Sequence, residues 1–316
     1  MKRILSIDGG GIRGVIPAMV LIEIEERTGK PIAQLFDLVA GTSTGGILAC
    51  GLCVPDGHGA PKFAAKDLLD VYVKDGPTIF PHHVFQRIRA VFEEKYPSSG
   101  IESVLQRYTG DTRLSQVLAD VFVTAYDIER RKPKFFRSRD ARTDPTRDCP
   151  LWMVARSTSA APTYFEPFKL PGPNPGEYQA LVDGGVFANN PAMCAYVDDS
   201  TGPGRVRPDE ILLVSLGTGA ENRPIKYSDA KDWGQLQWSH PILGAIFAGV
   251  SATTDYQVAQ ILGEDDYFRF QTELTLASDD MDLATPENIA NLQAQARKLL
   301  ADSAADLDRL CRRLTA

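Results

Sequence analysis

The chain has 316 residues, 43% of them hydrophobic and 24% charged, with a formal net charge of −7. These values describe an ordinary globular protein able to bury a full core, in one large α/β domain or two smaller ones. They argue against a nucleic-acid coat and against a generally basic membrane-binding surface, so no nucleic-acid polymer is expected as a partner. Five cysteines scattered over the chain fit reduced thiols better than a disulfide framework. Met1-Lys2-Arg3 resembles the start of a signal peptide, but the apolar run after it ends at Asp8, and no later segment is apolar long enough to span a membrane. A soluble, cytoplasmic protein is the expectation.

In chain order, Ile4 to Ile7 forms a short apolar strand that runs into the glycine-rich turn Asp8-Gly9-Gly10-Gly11-Ile12-Arg13-Gly14. A helix follows from about Val15 to Thr28, with Pro17 in its first turn and Gly29 as its C-cap. Phe36 to Ala40 is the next strand, and it leads through Gly41-Thr42-Ser43-Thr44-Gly45 into an apolar helix carrying Cys50 and Cys53. That C-x-x-C has no second Cys or His pair nearby to complete a zinc site, so its thiols read as core residues. Residues 61–118 are mainly helical, an insert over one end of the sheet.

Val121 to Tyr126 and Lys134 to Ser138 form a hairpin with Pro133 at its turn. Seven basic residues between Glu129 and Arg142 read foremost as its solvated surface, with lipid headgroups as the other option. Ala180 to Val182 is a strand ending at Asp183-Gly184-Gly185, and Ile211 to Leu216 is another. Trp233 to Val250, with Trp238, Ile242, Leu243, Ile246 and Phe247, reads foremost as core, with lipid contact or an acyl channel as the alternative. A C-terminal helix runs from about 286 to 314, keeping three- and four-residue apolar spacing. Strands alternating with helices predict a mostly parallel sheet covered by helices.

Two glycine clusters carry the chemistry. Gly9, Gly11 and Gly14 satisfy G-x-G-x-x-G, whose amides suit a dinucleotide pyrophosphate or an oxyanion formed during ester cleavage. Gly41-x-Ser43-x-Gly45 between a strand and a helix is the nucleophile-elbow pattern, where the sharp turn leaves no room for flanking side chains. A serine hydroxyl needs an activating base. His58, His82 and His83 fall in the wrong chain order for a hydrolase triad, which leaves His240; Asp183, a carboxylate at the C-terminal end of an apolar strand, is the better candidate. An aspartate near its reference pKa is a feeble base, so this role requires burial among apolar groups.

The glycine turn, the elbow, Ser157 to Phe165, Asp183-Gly184-Gly185 with Asn189-Asn190-Pro191, Ser215 to Gly219 and Asp280-Met281-Asp282 together resemble the patatin-like phospholipases. The resemblance implies one domain over 1–316 with a three-layer α/β/α fold and a mostly parallel central sheet. It implies a Ser43 and Asp183 dyad, and an oxyanion hole from the amides of Gly9, Gly10 and Gly11 with Arg13 and Gly14 completing the motif. Gly41 and Gly45 frame the elbow. Lipid acyl hydrolysis without metal or cofactor follows, on membrane phospholipid met peripherally at the inner face of the membrane. The dinucleotide alternative also lacks the acidic residue expected at the end of a second strand. Some bacterial members of this family are switched on by cyclic nucleotides, so a signal-gated phospholipase with a cyclic-nucleotide activator stands as the alternative function.

Overall fold

The structure, a computed structural model, describes residues 1–81, 96–201, 205–220, 223–238 and 241–316. His82, His83 and His240 lie outside the described residues, as does the 82–95 part of the helical insert. The strands are β1 (Lys2–Ile7), β2 (Leu38–Gly41), β3 (Asp120–Asp127), β4 (Lys132–Arg137), β5 (Phe168–Pro171), β6 (Tyr178–Asp183), β7 (Ile211–Leu216) and β8 (Tyr267–Phe270). They form one sheet in the order β5-β6-β3-β2-β1-β7-β8, with β4 paired to β3 off that path. From β3 through β8 all neighbours are parallel, whereas β4, β5 and β6 join antiparallel.

Alternation along the strands builds the layers. Leu5, Ile7, Val39, Val123, Leu212 and Val214 face one core, which holds the helix Val15–Thr28 and the C-terminal helices. Their neighbours Ile4, Leu38, Ala40, Phe122, Ile211 and Leu213 face a second core, closed by Ala192, Ala195 and Tyr196 and by Val258 of the helix Pro241–Ile261. Successive side chains point to opposite faces, so covering both faces demands the near-continuous apolar strands of this sequence. The result is the expected α/β/α arrangement.

The helix Val15–Thr28 begins and ends where the pattern places it, closed by Gly29 at φ +65°, whose N–H donates to the Glu25 carbonyl. Pro133 stands within β4, opposite Tyr126, and the chain turns before it through Arg131 at φ +55°. An edge strand tolerates a residue without an N–H. The C-terminal pattern is two helices, Pro286–Asp302 and Ala304–Thr315, parted at Ser303, and both pack on Val15–Thr28. Strands β5 and β8 have no counterpart in the sequence pattern, being four residues each with a lysine or arginine among their apolar positions.

Much of the basic run on and around the hairpin meets carboxylates of this same chain. Arg130 pairs with Asp127 at 2.9 Å, Arg137 with Asp198 at 2.8 Å, Arg139 with Asp199 at 2.9 Å and Arg142 with Asp120 at 2.5 Å. Cys50 and Cys53 are buried, and burial pushes the Cys53 thiol up to about 12, which suits core residues and not reactive thiols. No helix among the described residues is long and apolar enough to cross a membrane.

Candidate active site

Strand β3 brings two distant segments together. Gly41, the last residue of β2, lies opposite Val123, and Asp183, the last residue of β6, lies opposite Ala125. Strand β2 runs parallel to β3 and β6 antiparallel, so the two chains arrive head to head with only Thr124 between their registers. Ser43 and Asp183 meet at that junction. Thr124 holds both sides: its Oγ1 lies 2.7 Å from Thr42 Oγ1, and Gly184 packs so closely on it that an added Cβ would stand 2.0 Å from the hydroxyl.

Ser43 occupies the turn between β2 and the helix Thr44–Leu52, at φ 55° and ψ −124°. A positive φ on a non-glycine residue is strained, and the surroundings enforce it. A Cβ on Gly41 would stand 2.2 Å from the Gly45 carbonyl oxygen, and one on Gly45 would stand 2.1 Å from the Ile7 carbonyl oxygen. The Ser43 N–H donates to Thr158 Oγ1 at 2.8 Å. The hydroxyl thus sits at a helix N-terminus, where partial positive charge favours an anion.

The glycine loop corrects one expectation. Gly9 N–H donates to the Asn189 carbonyl at 3.0 Å and is absent from the cavity wall, so it is not available to an oxyanion. Gly10 and Gly11 line the cavity beside Ser43 and Asp183, and among the described residues their N–H groups have no hydrogen-bond acceptor. Their direction follows from the planar trans peptide, in which N–H and C=O point opposite ways. The Gly9 carbonyl accepts from Thr218 Oγ1 at 2.7 Å, which turns the Gly10 N–H away from Thr218. The Gly10 carbonyl accepts from the Arg13 N–H at 3.2 Å and from Arg13 Nε at 3.3 Å, which turns the Gly11 N–H the other way. Arg13 therefore braces the loop from behind. Gly14 leaves room for Thr44 and Tyr72, since a Cβ there would stand 2.4 Å from Thr44 Oγ1.

Asp183 is 1% exposed. Its Oδ1 accepts the Gly185 N–H at 2.7 Å, while its buried Oδ2 closes no hydrogen bond among the described residues. Burial pushes the carboxyl up to about 7, and the Ser43 hydroxyl and the Gly185 N–H offset only part of that rise. The cavity in front is lined with apolar side chains, among them Ile47, Val71, Ile79, Phe80, Phe165 and Phe247. Val71 comes from the helix Ala65–Val73, and Ile79 from the helix Gly76–Ile79 with Phe80 just after it. Phe247 is buried in the wall, but Ile242 and Ile246 on the same helix are 40% and 37% exposed, so reading that whole stretch as core does not hold.

Residues without a role in the sequence reading complete the site. Asp183 N–H donates to the Ala160 carbonyl at 3.0 Å, Ile12 N–H to the Met281 carbonyl at 2.8 Å, and Asn189 Nδ2 to Ser251 Oγ at 3.0 Å. The segments quoted around Thr158, Asn189, Thr218 and Met281 thus converge on the glycine loop and the elbow. Thr124 and Ser251 carried no local signal. Among the described residues the one histidine is His58, exposed in a loop away from the cavity, and no His, Cys, Asp and Glu cluster could hold a metal ion.

Comparison with known proteins places the chain in a family. Patatin-like protein 2 of Arabidopsis thaliana is 36% identical, covering 98% of this chain and 85% of its own length. Patatin-2-Kuras 3 of Solanum tuberosum is 32% identical over 95% of this chain and 84% of its own. Likeness extends to a Solanum tuberosum protein named Probable inactive patatin-3-Kuras 1, 32% identical over 97% of this chain. Among solved structures, VipD from Legionella pneumophila covers 95% of this chain and 67% of its own at 15% identity and a TM-score of 0.40. The family model for patatin-like phospholipases matches residues 5–196, and the chain belongs to that family.

Proposed function

We propose that this chain hydrolyses fatty-acyl esters of membrane phospholipids through a Ser43 acyl-enzyme, with Asp183 as base. The observation that carries this reading is the buried Asp183 carboxyl, lifted to about 7 by burial, in the cavity that it shares with the Ser43 hydroxyl. A carboxyl at that pKa is a competent proton acceptor near neutral pH, which an ordinary aspartate is not. Ser43 Oγ attacks the ester carbonyl carbon as its proton passes to Asp183. The carbonyl oxygen takes up the negative charge and receives the Gly10 and Gly11 N–H groups, each worth roughly 3 kcal/mol of barrier. Asp183 then returns the proton to the departing alkoxide. Water, deprotonated by the same carboxylate, attacks the acyl-enzyme and restores Ser43.

The apolar walls fit an acyl chain, and the exposed isoleucines beside Phe247 fit a peripheral membrane contact at the cavity mouth. The test is purified protein on a monomeric ester and on phospholipid vesicles. Ser43→Ala should lose at least about a thousandfold in kcat on both, and a Ser43→Ala protein as active as the parent overturns the proposal. The same assay is run with and without cyclic nucleotides; full turnover without them marks a constitutive enzyme, and strict dependence marks a gated one.

A further inference from the structure

Asp8 opens the glycine loop yet has no part in the proposed chemistry. It is 1% exposed, and its partner comes from 261 residues away. Arg269 on β8 donates through Nη1 to Oδ1 at 2.9 Å and through Nη2 to Oδ2 at 2.6 Å. The same Nη1 donates to Ser215 Oγ on β7 at 2.7 Å. Asp8 N–H is held by the Leu216 carbonyl at 2.9 Å.

Both ends of Asp8 are therefore fixed at the residue where the chain leaves the sheet for Gly9, Gly10 and Gly11. A planar guanidinium meeting both carboxylate oxygens sets an orientation as well as a distance, which a lysine ammonium cannot do. Burial alone would lower the proton affinity of Arg269, and the carboxylate beside it reverses that; burial likewise raises the Asp8 carboxyl, and the guanidinium offsets only part of the rise.

We infer that Arg269 is a positioning residue for the oxyanion site: by clamping Asp8 it fixes where the glycine loop starts, and so keeps in place the Gly10 and Gly11 N–H groups that Thr218 and Arg13 aim. This rests on the hydrolase reading above. Sequence gives no hint of it, because Arg269 lies in a four-residue strand far from both glycine clusters.

The test compares an ester with its thiono counterpart, in which sulfur replaces the carbonyl oxygen. Sulfur is a weaker, longer-range acceptor, so well-aimed N–H donors favour the oxygen substrate, and the oxo-to-thiono rate ratio reports their aim. Arg269→Lys keeps the charge and loses the fork. It should lower kcat about tenfold to a hundredfold with KM unchanged, and pull the ratio toward its value in solution. Wild-type kcat and ratio in folded Arg269→Lys overturn the inference, as does a loss that tracks the unfolded fraction while the ratio stays fixed. Should Arg269→Lys not fold, Ser215→Ala decides: it frees one guanidinium bond without changing charge, and a lowered ratio supports the clamp while an unchanged one overturns it. Wild-type protein lacking Ser43-dependent ester cleavage is a different result, which removes the hydrolase reading and the clamp together.

Discussion

Gly9 donates its N–H to the Asn189 carbonyl at 3.0 Å, and the Asn189 side chain fills the place where a Gly9 Cβ would stand, 2.4 Å from Oδ1. Such a Cβ would also lie 3.1 Å from Ser43 Cβ. Asn189 cannot swing aside freely, being tied to Ser251 and packed on Gly185. Gly9→Ala should therefore displace the loop from the nucleophile and cost on the order of a hundredfold in kcat, the effect of losing one oxyanion donor. Gly29→Ala is the control: its φ is +65° with nothing near the added atom, so it should cost about 1 kcal/mol of stability and no activity. Ester kinetics alongside thermal unfolding separate the two.

Under the proposed mechanism Asp183 links activity and stability with opposite signs. With its carboxyl at about 7 against an ordinary 3.8, the folded protein holds a proton between about pH 4 and 7 that the unfolded chain has released. Stability therefore falls as pH rises through that window, by about 4 kcal/mol at about 1.36 kcal/mol per pKa unit. Asp183→Asn lacks this dependence, so its Tm should exceed that of the parent increasingly up to pH 7 and by a constant margin above it. Activity follows the deprotonated form. In the parent, kcat/KM should fall about tenfold per pH unit below 7, and Asp183→Asn should be inactive throughout. A parent pH–rate profile flat from pH 5 to 8 removes Asp183 as the base.

What was legible in the sequence was what local chemistry demands. An elbow serine requires glycines at Gly41 and Gly45 because backbone atoms stand against them, so the constraint is written next to the residue it serves. The Asp183 strand and the first helix were visible for the same reason. Contacts that close the site over long separations leave no such mark: Thr124 looks like one more strand residue, and β5 and β8 are too short to show a period. The Gly9 expectation failed because a glycine motif records where the backbone must come close, and not which N–H ends up facing the substrate.

Thr124 tests the junction of the two strands directly. Thr42 Oγ1 donates its single proton to the Ala188 carbonyl at 2.6 Å, so the hydrogen in the 2.7 Å contact comes from Thr124. Thr124→Val keeps the shape, removes that donor and leaves a methyl against Thr42 Oγ1 and Gly184. The expected cost is about 1 to 2 kcal/mol of stability, measured by denaturant unfolding. Activity should fall several-fold as the elbow and the Asp183 turn lose their shared hold. Unchanged stability and kcat mean that β3 spaces the two segments by its backbone alone.

Variants of the helix Pro241–Ile261 would separate the proposed chemistry from lipid access. Phe247 is 7% exposed and lines the cavity, while Ile242 and Ile246 are 40% and 37% exposed. No charged residue occurs from Pro241 to Thr254, an unusual length for a helix with an open face. A monomeric ester reaches Ser43 through water and does not need that face; a phospholipid must leave its bilayer at the cavity mouth. Replacing both isoleucines by serine removes apolar area at the surface without opening the core, so folding should be intact. Turnover of the monomeric ester should stay within twofold of the parent, while binding to vesicles weakens by roughly 2 to 4 kcal/mol, taking each lost side chain as partly buried in lipid. Co-sedimentation of the Ser43→Ala protein with and without the two changes measures binding free of catalysis. Equal binding would place the lipid-facing surface elsewhere on the molecule, and equal loss on both substrates would assign the isoleucines to the cavity itself.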